Sequence, residues 1–123
     1  MKIIKSSKIP PPAGHYSPVI VHNGLAYLSG QLPINPNTKE IPKTIEDQTL
    51  QALTNIDLLV KEAGSSKDKI LQMRLYISDV SLWDKVNAVY KEFFGDHKPV
   101  RTVVPVKELH FGCLIEIEAV AVV

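Results

Sequence analysis

Twice along this chain a hydrophobic period near 3.6 residues alternates with a period of two, and few folds can satisfy both. Ile45, Ala52, Leu53, Ile56, Leu59, Val60 and Ala63 recur at helical spacing. Leu71, Met73, Leu75 and Ile77 then alternate with Gln72, Arg74 and Tyr76, as in a half-buried strand over 69–78. Leu82, Val86, Val89, Tyr90 and Phe93 restore the helical period, and two further strands follow over Val100–Val106 and Cys113–Val122. Each helix has one apolar face and each strand has one apolar side. The economical way to bury all of them is to lay both helices on one face of a mixed β-sheet, an α+β sandwich.

Local signals place the ends of these elements. Asn23-Gly24 separates Val19–His22 from Leu25–Ser29 and predicts a hairpin, because a type I′ turn needs two residues with positive φ. A short strand is expected over Lys2–Lys5, followed by an extended segment at Pro10, Pro11 and Pro12. The stretch QLPINPNTKEIP reads as a loop. Thr44 with Asp47 opens the first helix and Gly64 stops it. Ser81 with Asp84 is expected to open the second helix, which Gly95 ends.

The 123 residues fit one domain, 1–123. Lys and Arg total 14 against 13 Asp and Glu, a net charge of +1. That balance argues against a dedicated nucleic-acid binder or a protein drawn to anionic membranes. A single cysteine, Cys113, allows no internal disulfide and points to a reducing compartment. MKIIKSSKIPPPAG lacks the apolar run of a secretory signal, and no stretch approaches membrane-spanning length. A cytoplasmic location is expected.

Two helices cover only one side of the sheet. The other side would carry Gln72, Arg74, Tyr76, Glu116, Glu118, Val120 and Val122, a mixture of polar and apolar groups. Such a face often meets another subunit, so a closed homo-oligomer with sites at its interfaces is expected.

Arg101 lies inside the β-branched run VRTVVPV. It either pairs with solvent or a nearby carboxylate, or it offers its planar donor fork to a ligand carboxylate. Glu116 and Glu118 point to the same side of their strand, about 7 Å apart. They are either a solvated strand face or a source of general acid–base chemistry. His15, His22, His97 and His110 show no metal-ligand spacing, and no metal site is expected. Neither a G-x-S-x-G elbow nor a Gly-rich phosphate loop occurs. Tyr16 sits in a loop after the prolines as a packing residue or a hydroxyl donor.

Several segments carry a specific resemblance. GHY at 14–16, YLSGQLPINPNTKEIP at 27–42, AGSSKDKI at 63–70, VNAVYKEFF at 86–94, HKPVRT at 97–102 and IEIEAVAV at 115–122 occur in order. Together they resemble the RidA/YjgF family of reactive-intermediate imine and enamine deaminases along nearly the whole chain. The resemblance implies a chorismate-mutase-like α+β sandwich, assembled as a homotrimer around a central β-barrel with a cleft at each subunit interface. It implies hydrolysis of 2-imino acids and their enamine tautomers, such as 2-aminoacrylate and 2-aminocrotonate, to 2-keto acids and ammonium. It implies no cofactor, and a functional link to PLP-dependent dehydratases that release these intermediates. By the same resemblance Arg101 grips the substrate carboxylate and Glu116 positions water or moves a proton. Tyr16, Ser29, Gly30 and Asn87 line the site.

Four positions depart from the family pattern. Val103 replaces the usual Cys two residues after the arginine, and His15 replaces the usual Pro before the tyrosine. Pro105 stands at an acidic position, and Leu109-His110 replaces a Leu-Pro pair. Val103 joins the expected substrate-contacting residues. These changes leave room for a second reading, a trimer that binds small carboxylates or a partner without turnover. A third reading, endoribonuclease or translation inhibitor, fits poorly with the near-neutral charge.

Overall fold

The Asn23-Gly24 dipeptide turns as its chemistry requires, with φ of 50° and 75°. It joins β2 (Val19–His22) to β3 (Leu25–Gln31) in an antiparallel hairpin. The computed structural model describes residues 1–123. Beyond the hairpin the chain runs α1 (Ile45–Glu62), β4 (Ile70–Ile77), α2 (Trp83–Phe94), β5 (Val100–Pro105) and β6 (Ile115–Val122). Before it, β1 (Lys2–Ile3) pairs with β2. The six strands form one sheet in the order β1-β2-β3-β6-β4-β5. Only β4 and β5 are parallel, and parallel neighbours need a crossover, which α2 supplies.

Strand β6 is the hinge of this order, since it pairs antiparallel with both β3 and β4. Ile115, Ile117, Ala119 and Ala121 all point under the helices and are buried. There they meet Ala52, Leu53, Ile56, Leu59 and Val60 of α1, with Met73, Leu75 and Ile77 of β4, in one cluster of 22 residues. Fully burying an Ile or Leu side chain contributes about 1.5–3 kcal/mol. The core therefore holds both helices to one face, the layout expected from the periodicity.

Most expected ends are present. Thr44 caps α1, accepting the Asp47 N–H at 3.1 Å. Gly64 follows the helix at φ 85°, and Gly95 ends α2 at φ 63°. Ser81 does not open α2. Asp79 does the capping instead, accepting the Ser81 N–H at 2.8 Å over a 3₁₀ turn at Val80–Leu82, and the α-helix begins at Trp83. Phe94, absent from the expected apolar face, is buried with Val86 and Tyr90.

Leu71 also departs from expectation. It is exposed, while Ile70 is fully buried. The pairing with β6 slips between Ile70 and Gln72, and this bulge inverts which side chain faces the core. At the far edge, β5 has no fully buried residue. Val100 is 66% exposed, because β5 has a neighbour on one side only. Pro105 ends the strand, and the Val106 N–H then reaches the Ile77 carbonyl at 2.8 Å, so the missing donor breaks nothing.

Three polar residues interrupt the apolar face of α1, and each has partners. Thr49 donates to the Ile45 carbonyl. Gln48 donates to Pro42 O and accepts the Leu114 N–H, both at 2.8 Å. Asn55 donates to Leu32 O at 3.0 Å and Ile34 O at 2.9 Å. These bonds fasten the loop after β3 and the entry to β6 onto one helix.

The opposite face of the sheet has no cover. Tyr27, Arg74 and Val122 stand exposed on it, and Glu118 accepts from Arg74 Nη1 at 3.1 Å and from the Tyr76 hydroxyl at 2.9 Å. No helix is long and apolar enough to cross a membrane. The Asn55 staple yields a direct expectation. Asn55→Ala leaves two carbonyls without their donor, each lost partner costing about 1–3 kcal/mol. Thermal unfolding should show a drop of about 2–6 kcal/mol, and an unchanged midpoint would contradict the staple.

Candidate functional site

Glycine at position 30 is explained by what lies across it. The β3–β6 pairing shifts register between Leu28 and Gln31, so Ser29 and Gly30 leave the regular ladder. A Cβ on Gly30 would lie 2.3 Å from Glu116 Oε1. Only a residue without a side chain lets that carboxylate rest against the strand. Ser29 is tied to the entering loop through its N–H to Pro18 O at 2.9 Å. The Gln31 amide folds back on Ser29 Oγ and on the Ser29 and Gly30 carbonyls, each at 3.3 Å.

Beside Glu116 opens a cleft of about 750 Å³. That is within the range of small-molecule sites. Tyr16, Ser29, Gly30, His110, Phe111 and Glu116 are among its walls. Tyr16 is half-exposed there, held by a tight turn in which its N–H meets Gly14 O. Burial pushes the Glu116 carboxyl above the ordinary glutamate range. His110 pulls it partly back, and Glu118 adds to the rise. Cys113 is buried close by, and desolvation, followed by the charge of Glu116, pushes its thiol up.

His110 and Phe111 reach the cleft through an unusual backbone. Phe111 has φ 60° and Gly112 has φ 69°, two successive left-handed residues. A bulky side chain in that region is strained by about 1 kcal/mol or more. Yet Phe111 is 73% exposed, so no core packing in the chain offsets the strain. The sequence marks His110 only as a departure, and Gly112 is the one local hint of the turn.

Arg101 occupies a different place. It stands in register with Met73, which makes it a residue of the helix-covered face at the β5 edge. Its Nη1 donates to Asn87 Oδ1 at 2.9 Å. Its Cζ lies 4.7 Å from the centre of the Tyr90 ring and 5.5 Å from that of Trp83. Trp83, Asn87 and Tyr90 are spaced i, i+4 and i+7 and share one stripe of α2. Arg101 forms no ion pair. Val103, two residues on, shares its face and packs partly buried against the core. Tyr90 is buried with its hydroxyl unpartnered, and desolvation raises that hydroxyl to about 12 despite the nearby guanidinium.

The expected site residues thus fall into two groups. Arg101, Asn87 and Val103 lie between β5 and α2. Glu116, Gly30, Ser29 and Tyr16 lie at the cleft. Glu116 is in register with Tyr76 on the uncovered face, so the cation and the carboxylate occupy opposite faces of one sheet. Trp83, Tyr90, His110 and Phe111 were not foreseen as site residues. No cluster of three His, Cys, Asp or Glu side chains is arranged to hold a metal.

Two expectations follow from the cleft. Gly30→Ala should leave the fold intact, because the clash falls on the end of a flexible side chain, and should drive the Glu116 carboxylate into water. Its NMR titration would then shift down toward an ordinary glutamate, and an unshifted titration would refute the contact. The second concerns stability. A carboxyl with a raised folded pKa adds stability that is complete below the ordinary glutamate range and is lost as pH rises through the folded value. Glu116→Gln should therefore be more stable than the native chain at neutral pH, with the gap closing in acid, as followed by denaturant unfolding across pH.

Residues 6–123 match the family described as Endoribonuclease L-PSP. A RutC family protein of Aquifex aeolicus is 38% identical over 99% of both chains. TdcF of Escherichia coli, assigned provisionally as a reactive intermediate deaminase, is 36% identical over 98% of this chain and 96% of its own. The crystal structure of E. coli TdcF with bound serine superposes with a TM-score of 0.94 over 100% of this chain and 99% of that one. The structure of the E. coli YjgF gene product gives 0.93 at 34% identity, covering 99% and 98%.

Proposed function

Because the chain belongs to the RidA/YjgF family, the Endoribonuclease L-PSP proteins, we propose that it hydrolyses reactive 2-imino acids and their enamine tautomers to 2-keto acids and ammonium. One observation carries this reading. A guanidinium with no carboxylate partner and a carboxyl group raised by burial sit on opposite faces of a sheet whose open face and β5 edge are uncovered. Each is half of a site. In this reading a second copy of the chain completes it by bringing its Arg101 to the Glu116 cleft of the first, and the assembly we propose, from the family resemblance, is a homotrimer.

The chemistry fits these halves. Arg101 grips the substrate carboxylate and so fixes the neighbouring C=N carbon. Glu116 accepts a proton as water adds to that carbon, giving a carbinolamine. The proton then passes to the nitrogen, Glu116 takes the hydroxyl proton as the C=O bond forms and the C–N bond breaks, and that proton goes to the departing ammonia, which leaves as ammonium. An iminium carbon is already electrophilic, so holding the carboxylate and placing one water supplies most of what is needed. A raised pKa makes Glu116 a better base than an exposed carboxylate, once ionised. The serine bound to TdcF has the same frame, a carboxylate beside a carbon bearing nitrogen, which supports this substrate class here. We place the reaction in the cytoplasm, beside PLP-dependent dehydratases that release such imines.

A coupled assay tests the reading. A threonine or serine dehydratase generates the imine, semicarbazide competes for it, and keto-acid appearance is followed with and without this protein. The expected result is acceleration that falls at least 100-fold in Arg101→Ala and in Glu116→Gln, with sedimentation at the trimer mass. A folded trimer that accelerates nothing, but binds 2-keto acids, would instead establish the carboxylate-binding reading.

A further inference from the structure

The interaction that holds Arg101 comes from α2, and it has a consequence for how the site selects its ligand. We propose that Trp83 and Tyr90 are positioning residues that clasp the Arg101 guanidinium, and that this aromatic clasp sets the affinity for planar carboxylate ligands. This rests on the deaminase reading only in the choice of ligand. The two rings stand over the guanidinium at 5.5 and 4.7 Å, within the range of cation–π attraction. The Asn87 amide, on the same helix stripe, takes one Nη1 proton. With both rings at cation–π distance and Nη1 bonded to Asn87, the guanidinium keeps other N–H groups to offer. A carboxylate is flat and matches a guanidinium edge with two parallel hydrogen bonds. Without the rings, a long side chain on an exposed edge strand would sample many rotamers, and each would have to be frozen on binding.

The arrangement also supplies its own reporter. Trp83 is the only tryptophan of the chain, so its emission reads the state of Arg101. Trp83 is 39% exposed and can be replaced without opening the core, whereas Tyr90 is 7% exposed and belongs to it. The Tyr90 hydroxyl is unpartnered, so the ring and not the hydroxyl is the working part.

The test titrates the full-length protein with 2-oxobutanoate, a keto-acid product, by calorimetry and by Trp83 emission. Native protein should bind with a change in emission, and Arg101→Ala should show neither. Trp83→Leu should weaken binding about fivefold, as expected for loss of one ring. In turnover its KM should rise while kcat stays within about twofold. Trp83→Phe should restore most of the affinity lost in Trp83→Leu, which a mere packing role at an exposed position would not require. Unchanged affinity in Trp83→Leu overturns the clasp, as does a Trp83→Phe chain that binds no better than Trp83→Leu. Absence of binding in the native chain overturns it as well. Binding without turnover leaves the clasp standing and removes only the deaminase reading.

Discussion

The rest of the structure depends on the register of β6. Its inward residues Ile115, Ile117, Ala119 and Ala121 fill the space under α1, and its two neighbours lock it from both sides. A slip of one residue would exchange the two faces of the strand and bury Glu116 and Glu118 in the core. The apolar half of the pattern therefore positions the polar half. Glu116 stands at the cleft because isoleucines on either side of it cannot stand anywhere but inside. Gly30 completes the placement by leaving room where β3 departs from its ladder.

The two charged centres are built by different means. Glu116 is held by the sheet and a missing side chain, in a setting that opposes its ionisation. Arg101 is held by a helix, through an amide and two aromatic rings, in a setting that welcomes a cation. One centre is poised to take up a proton and the other to hold an anion. That contrast is what a site needs if it must anchor an anion and also move a proton.

Local chemistry made much of this legible in the sequence. Asn23-Gly24, the Thr44 cap, Gly64 and Gly95 each act through a backbone preference that needs no tertiary context, and each is where the sequence places it. Alternation in IEIEAVAV likewise assigns both faces of β6. What escaped was nonlocal. The bulge at Leu71 follows from pairing with β6, more than 40 residues away, and no pattern within 69–78 announces it. Ser81 lost the capping role to Asp79 because a 3₁₀ turn precedes α2. Tyr90 looks like an ordinary member of an apolar stripe, and Trp83 lies outside that stripe, until β5 brings Arg101 beneath them. His110 and Phe111 depend on two left-handed residues that only Gly112 hints at. The separation of Arg101 from Glu116 across the sheet is likewise invisible without the strand order.

That strand order also bears on how the molecule comes into being. The sheet consists of a β1-β2-β3 block and a β4-β5 block, and the strand that joins them, β6, follows both in sequence. As the chain leaves the ribosome, each block is made with one long edge unpaired, at β3 and at β4. Neither can close on the other until β6 has emerged. Such long-range pairings form slowly, and open edges are where chains find wrong partners. The strand that carries Glu116 is thus also the one whose arrival ends the period of exposure.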